Sequence, residues 1–131
     1  MADAQQATRL MQVAQRRLQQ LDRHLAQLEQ SMEELHTAIA TLEGLTGDAA
    51  LQTLVPIGAG VRVPASIDGS VQVSMDVGAG YSTMMTPKDA LEKLRERLAN
   101  TESAFRATSD EADKTAQRFQ DLQMQAMASS S

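Results

Sequence analysis

Ile57-Gly58-Ala59-Gly60-Val61 and Val77-Gly78-Ala79-Gly80-Tyr81 are near copies of one another, twenty residues apart. Closely spaced glycines are the material of phosphate-cradling loops, because they let backbone N–H groups close around an anion. The chemistry requires more than the glycines, however. A dinucleotide loop needs a third glycine and must open a helix, whereas Val63 and Thr83 stand where that glycine belongs. A P-loop needs Gly-Lys-Ser/Thr, which is absent. Each triplet here leads into a strand-type run, so the glycines are expected to be turn residues with positive φ. His24 and His36 lie twelve residues apart without the paired spacing of helical metal ligands, and are expected on a solvated surface. Arg16, Arg17 and Arg23 form a small basic cluster that a solvated helix face explains. With no cysteine, there is no thiol nucleophile, no disulfide and no Cys-based metal site. No Ser/His/Asp arrangement can be built. The expectation is a protein with no catalytic residues, no metal and no cofactor, and therefore not an enzyme.

Composition narrows the field further. Seventeen acidic and twelve basic residues give a net charge of −5 in 131 residues, which argues against a nucleic-acid partner. Aromatic residues make up 2% of the chain, too few for an ordinary compact core, while the 42% apolar share argues against disorder. Neither a signal-peptide core nor the roughly 18 apolar residues of a membrane span is present, so a soluble, cytoplasmic chain with no membrane partner is expected.

The elements that position these residues follow from two changes of composition. Residues 4–43 contain no Gly or Pro and are rich in Gln, Leu, Ala, Arg and Glu. Residues 51–86 hold every valine but Val13, five glycines, two prolines and only three charges, Arg62, Asp68 and Asp76. From Pro87 to Ala128 the helix-type composition returns. The reading is α+β in a single domain: an N-terminal helix over 1–46, two β-hairpins over 51–86 and a C-terminal helix over 87–128.

Both helices carry a coiled-coil signature. Ala4, Ala7, Met11, Ala14, Leu18, Leu21, Leu25, Leu28, Met32, Leu35, Ile39 and Leu42 alternate by steps of three and four. That period keeps one stripe facing a partner helix. Leu91, Leu94, Leu98, Thr101, Phe105, Thr108, Ala112, Thr115, Phe119, Leu122 and Ala126 repeat the rhythm, with a centre thinned by threonine and alanine. The first helix is expected to stop near Gly44 or Gly47. Thr86 is expected to cap the second, with Pro87 at its first position and Asp89 in its first turn. Two helices of about 40 residues would each span roughly 60 Å, against a radius of about 14 Å for a compact chain of this size. An antiparallel helical hairpin is expected, with Leu42 opposite Leu91 and both termini at the far end.

Between the helices, Val71 to Val77 alternate apolar and polar residues as a half-buried strand does, and Asp68-Gly69 is a turn signal between two tandem hairpins. With no helix expected to cover them, such hairpins expose apolar faces and unpaired edges. Val55, Ile57, Val61, Val63, Val71, Val73, Met75, Val77 and Tyr81 are therefore expected to join equivalent residues of other subunits, in a barrel that removes the edges.

Residues 55–65 and 73–81, with their flanking heptad helices, closely resemble the paired hairpin motifs of the archaeal prefoldin alpha subunit family. The resemblance covers nearly the whole chain. Two hairpins, rather than one, are similar to the alpha class. The family commonly ends its last strand with Glu-Lys-Thr, where this chain has Met84-Met85-Thr86. The resemblance implies a hexamer of two alpha-type and four prefoldin beta-type subunits, with six coiled-coil arms. It further implies an ATP-independent holdase that captures unfolded client proteins and passes them to a group II chaperonin. On that reading the arm tips hold Leu10, Met11, Val13, Phe119, Leu122, Met124 and Met127. Met11, Phe119 and Leu122 lie on the seam, leaving Leu10, Val13, Met124 and Met127 as the better client contacts, since flexible side chains adapt to many apolar surfaces. The competing reading is a structural coiled-coil adaptor holding one specific partner.

Overall fold

A computed structural model describes residues 2–45, 51–68 and 70–130, with side chains described from 4 to 128. Its elements, in order, are α1 (Ala2–Leu45), β1 (Leu51–Gly58), β2 (Val61–Ile67), β3 (Val73–Gly78), β4 (Tyr81–Met85) and α2 (Pro87–Ser130). The α+β architecture is the one that the composition shifts predict. Gly47 and Gly69 lie outside the described residues. The chain forms two units, one of residues 1–32 with 100–131 and the other of residues 33–99.

The first unit pairs the N-terminal part of α1 with the C-terminal part of α2. Freedom from Gly and Pro lets both segments stay helical, and the heptad pattern decides which face is covered. From Ala4 to Met32, and again from Thr101 to Ala126, every seam residue is buried or half-buried. Threonine is an awkward seam residue because its hydroxyl must be satisfied. Thr115 solves this locally by donating to the Glu111 carbonyl at 2.8 Å, one turn back. Among the described residues, no buried side-chain nitrogen or oxygen lacks a partner.

The second unit holds the remaining parts of both helices and the two hairpins. At its helix start, the Thr86 side-chain oxygen accepts the Asp89 N–H at 3.2 Å and the Thr86 carbonyl accepts the Ala90 N–H at 3.0 Å. This is the cap expected from the sequence. Each hairpin is its own two-stranded antiparallel sheet, β1 with β2 and β3 with β4. Opposed pairs such as Val55↔Val63 and Met75↔Thr83 fix the registers.

The two glycine triplets are turns, and the alanine between the glycines shares their conformation. Ala59 and Gly60 have φ of 51° and 79°, and Ala79 and Gly80 have 53° and 79°. Positive φ at both central residues matches the right-handed twist of a two-residue hairpin. No atom lies within 4 Å of where a Cβ would stand on Gly60 or Gly80, so conformation rather than space requires glycine there. Alanine in this region costs about 1–2 kcal/mol, whereas asparagine tolerates it. Ala59→Asn and Ala79→Asn are therefore expected to stabilise their hairpins by roughly 0.5–1 kcal/mol each. An unchanged or lower thermal midpoint for both variants would contradict the strain.

Two expectations need correction. The strand predicted to start at Val71 starts at Val73, because the Val71 N–H is committed to the Asp68 carbonyl at 3.0 Å. Within the same turn Asp68 Oδ1 accepts the Ser70 N–H at 2.9 Å and the Ser70 hydroxyl at 3.1 Å, and these bonds hold its carboxyl below the usual aspartate range. Second, the hairpins are not both uncovered. Met75 and Met85, each 8% exposed, form a core with Ala90, against which Leu42, Val73 and Leu94 pack. Arg97 adds a bond to the Asp76 carbonyl at 3.0 Å.

Candidate functional site

Two surfaces carry large apolar side chains in the open, and each belongs to one unit. In the second unit the surface is the hairpin of β1 and β2. Pairing puts Leu51, Thr53 and Val55 on one face with Ile67, Ala65 and Val63. Leu51, Val55, Val61 and Val63 are exposed on this hairpin, as are Leu54 and Ile57. Ile57 falls at the register shift between Pro56 and Gly58, outside the ladder. In the hairpin of β3 and β4 the exposed large apolar residues are Val77 and Tyr81, near the turn, and Met84. The nine residues expected to mediate assembly thus divide. Val55, Ile57, Val61, Val63, Val77 and Tyr81 are exposed, Val71 and Val73 are half-buried, and Met75 belongs to the chain's own core.

The division has a local cause. Val73 and Met75 lie beside the start of α2 and turn toward Ala90 and Leu94. A sequence pattern identifies the apolar face of a strand, but not which stretch of it a helix of the same chain will cover.

In the first unit the surface is formed by the ends of the paired helices. Arg17 donates through Nε at 3.2 Å and Nη2 at 2.6 Å to Glu111 Oε1, joining α1 to α2. Both side chains are about half exposed, so the pair contributes at most about 1 kcal/mol and serves chiefly as a register mark. Beside it, Leu10, Val13, Ala14, Arg17, Thr115 and Arg118 line a cleft of about 170 Å³. Its lining combines three apolar side chains with two arginines.

The seven residues expected at the client-binding end separate by burial. Leu122 is buried, and Met11 and Phe119 are half-buried, as seam positions should be. Val13, Met124 and Met127 are 61%, 70% and 66% exposed. Leu10, placed off the seam by its spacing, is half-buried at the cleft. The cleft arginines were not identifiable from sequence as part of this surface, because which residues of α2 meet α1 depends on the register.

The residues that first invited a chemical reading stay apart. His24 and His36 are exposed on α1. Among the described residues no three His, Cys, Asp or Glu side chains cluster closely enough to hold a metal ion. Among the same residues, no helix is long and apolar enough to cross a membrane.

Comparison with known proteins gives a consistent picture. Residues 14–130 match the profile of the family described as Prefoldin subunit. A prefoldin subunit alpha of Nitrosopumilus maritimus is 31% identical over 83 residues, which are 63% of this chain and 57% of that protein. A prefoldin subunit alpha of Methanococcoides burtonii is 41% identical over 61 residues, 46% of this chain and 44% of that one. The chain thus spans about half the length of the curated relatives it matches. Among solved structures, filamentous PFD from Methanocaldococcus jannaschii superposes with a TM-score of 0.71 at 18% identity, over 88% of this chain and 96% of that chain. At that identity the likeness is one of fold.

Proposed function

Because the chain belongs to the prefoldin family, we propose that it is an alpha-type subunit of an oligomeric, ATP-independent chaperone that captures unfolded proteins at the ends of its paired helices. Prefoldin subunits are not enzymes, and binding alone accounts for what such a subunit does. The proposed assembly joins this chain to beta-type subunits, two alpha with four beta, through the exposed hairpin residues. The proposed receiver of clients is a group II chaperonin, and the proposed location is the cytoplasm.

The observation that carries client capture is the exposure of Val13, Met124 and Met127 on helices whose other outward positions are largely polar. Apolar side chains gathered at one end of a helix pair are a surface that apolar clients can use. Methionine suits the role because its unbranched thioether fits differently shaped apolar partners. One such contact is weak, but several ends of one oligomer can hold a single client by effective concentration.

The test is suppression of aggregation of several unrelated unfolded proteins in the absence of nucleotide. Val13→Ser with Met124→Ser and Met127→Ser is expected to weaken capture by roughly threefold to tenfold, as a few apolar contacts are lost, with oligomer size unchanged. Loss is partial because beta-type subunits carry their own ends. Full activity in this triple variant would place capture elsewhere on the molecule. Binding to one folded partner, without protection of unfolded proteins, would favour a coiled-coil adaptor.

A further inference from the structure

The eight methionines are the only sulfur-bearing residues in a chain without cysteine, and burial sorts the seven described ones sharply. Met75 and Met85 are sealed in the core of the second unit. Met11 and Met32 are half-buried on the seam. Met124 and Met127 stand three residues apart on α2, each about two-thirds exposed. Met84 is exposed as well, but it lies on a hairpin near the proposed assembly surface, away from the ends of the paired helices.

We propose that Met124 and Met127 are sites of reversible oxidation and that their conversion to sulfoxides weakens client capture without unfolding the protein. This rests on the reading of the helix ends as the capture surface. A thioether sulfur in solvent can reach the oxygen of a peroxide. A sulfur lone pair attacks the terminal peroxide oxygen, the S–O bond forms and the O–O bond breaks. The departing hydroxide takes the proton from the oxygen now bound to sulfur, leaving as water and giving the neutral sulfoxide. Sulfur is oxidised by two electrons and the peroxide is reduced by two. The side chain becomes polar and keeps its length, so a flexible apolar contact is exchanged for one that prefers water. A dithiol-using sulfoxide reductase reverses the change, returning the oxygen as water while the dithiol becomes a disulfide.

Position determines what such oxidation does. Sulfoxides at Met75 or Met85 would place a polar group in the second unit's core and destabilise it. Sulfoxides at Met124 and Met127 remain hydrated, and the adjoining seam residues Leu122 and Ala126 carry no oxidisable atom. Oxidation at these two positions therefore changes the surface while leaving the coil intact.

The test treats the full chain, assembled with its beta-type partner, with dilute hydrogen peroxide and maps oxygen addition by peptide mass spectrometry. Met124 and Met127 are expected to oxidise at least about tenfold faster than Met75 and Met85. Comparable rates would overturn the assignment. Protection of unfolded clients is expected to fall about threefold or more and to return after reductase treatment, with helicity unchanged throughout. Met124→Leu with Met127→Leu, apolar but not oxidisable, is expected to give the same protection before and after peroxide, whatever its starting level. If that variant loses as much as the unaltered chain, the pair is not the switch. The serine forms separate capture from its switching. Full capture by Met124→Ser with Met127→Ser would refute capture by this pair, whereas loss in the serine variant without loss on oxidation would refute only the switch.

Discussion

A chain carrying Val55→Lys together with Val63→Glu is expected to lose its oligomeric state while remaining helical. The two valines face each other across β1 and β2 and both are exposed. Opposite charges at directly opposed positions support an antiparallel hairpin, so the element itself should persist. In an assembly the same pair would have to leave water, and desolvation costs several kcal/mol per ion unless every new bond is ideal. The expected elution is that of separate subunits, with a far-ultraviolet spectrum like that of the unaltered chain. An oligomer of unchanged size would show that this face is not the assembly surface. The exposed hairpin is the proper place for the test, because charges at Val73 and Met75 would disrupt the chain's own core before reaching any neighbour.

That core supports a second expectation, drawn from two adjacent methionines. Met85 packs with Met75 and Ala90, while Met84, one residue earlier on the same strand, is exposed. Met85→Ala and Met75→Ala should each cost roughly 2–4 kcal/mol from lost burial and the cavity left behind. Met84→Ala should fall within about 0.5 kcal/mol of the unaltered chain, as surface truncations do. Chemical denaturation at one fixed subunit concentration measures all three, since assembly couples concentration to apparent stability. Equal costs for Met84 and Met85 would mean that the hairpin does not rest on the helices through this face.

How far the sequence reveals this depends on whether a feature is set by local spacing. The heptad rhythm is local, and its residues from Ala4 to Leu42 and from Leu91 to Ala126 are all buried or half-buried. The cap at Thr86 and the glycine turns are local too, needing only a side-chain acceptor in one case and positive φ in the other. Ala59 and Ala79 escape such reading because propensity argues against alanine at positive φ, and only the closed hairpin imposes it. The covering of Met75 and Met85 requires knowing where β3 and β4 come to rest, which no periodicity records. The same holds for Arg17 with Glu111, 94 residues apart, and for Arg95 with Glu43, 52 apart. Of the candidate capture surface, the exposed methionines follow from their distance from the seam. Leu10 and the cleft arginines depend on the register of the pairing.

The first unit joins residues 1–32 to residues 100–131, so 67 residues separate its two halves. A ribosome adding about 5–20 residues per second leaves the first half waiting roughly 3–13 s for the second. Helix–coil relaxation takes on the order of a microsecond, so the early segment samples its helix long before a mate exists. Throughout that interval its seam faces water, on a subunit proposed to shield just such surfaces on other chains. Over residues 4–14 that seam is small: Ala4, Ala7 and Ala14 flank the single larger Met11. A stripe of this composition offers little apolar area to neighbouring nascent chains. The alanines of residues 4–14 thus keep that part of the newborn helix inconspicuous until its complement arrives.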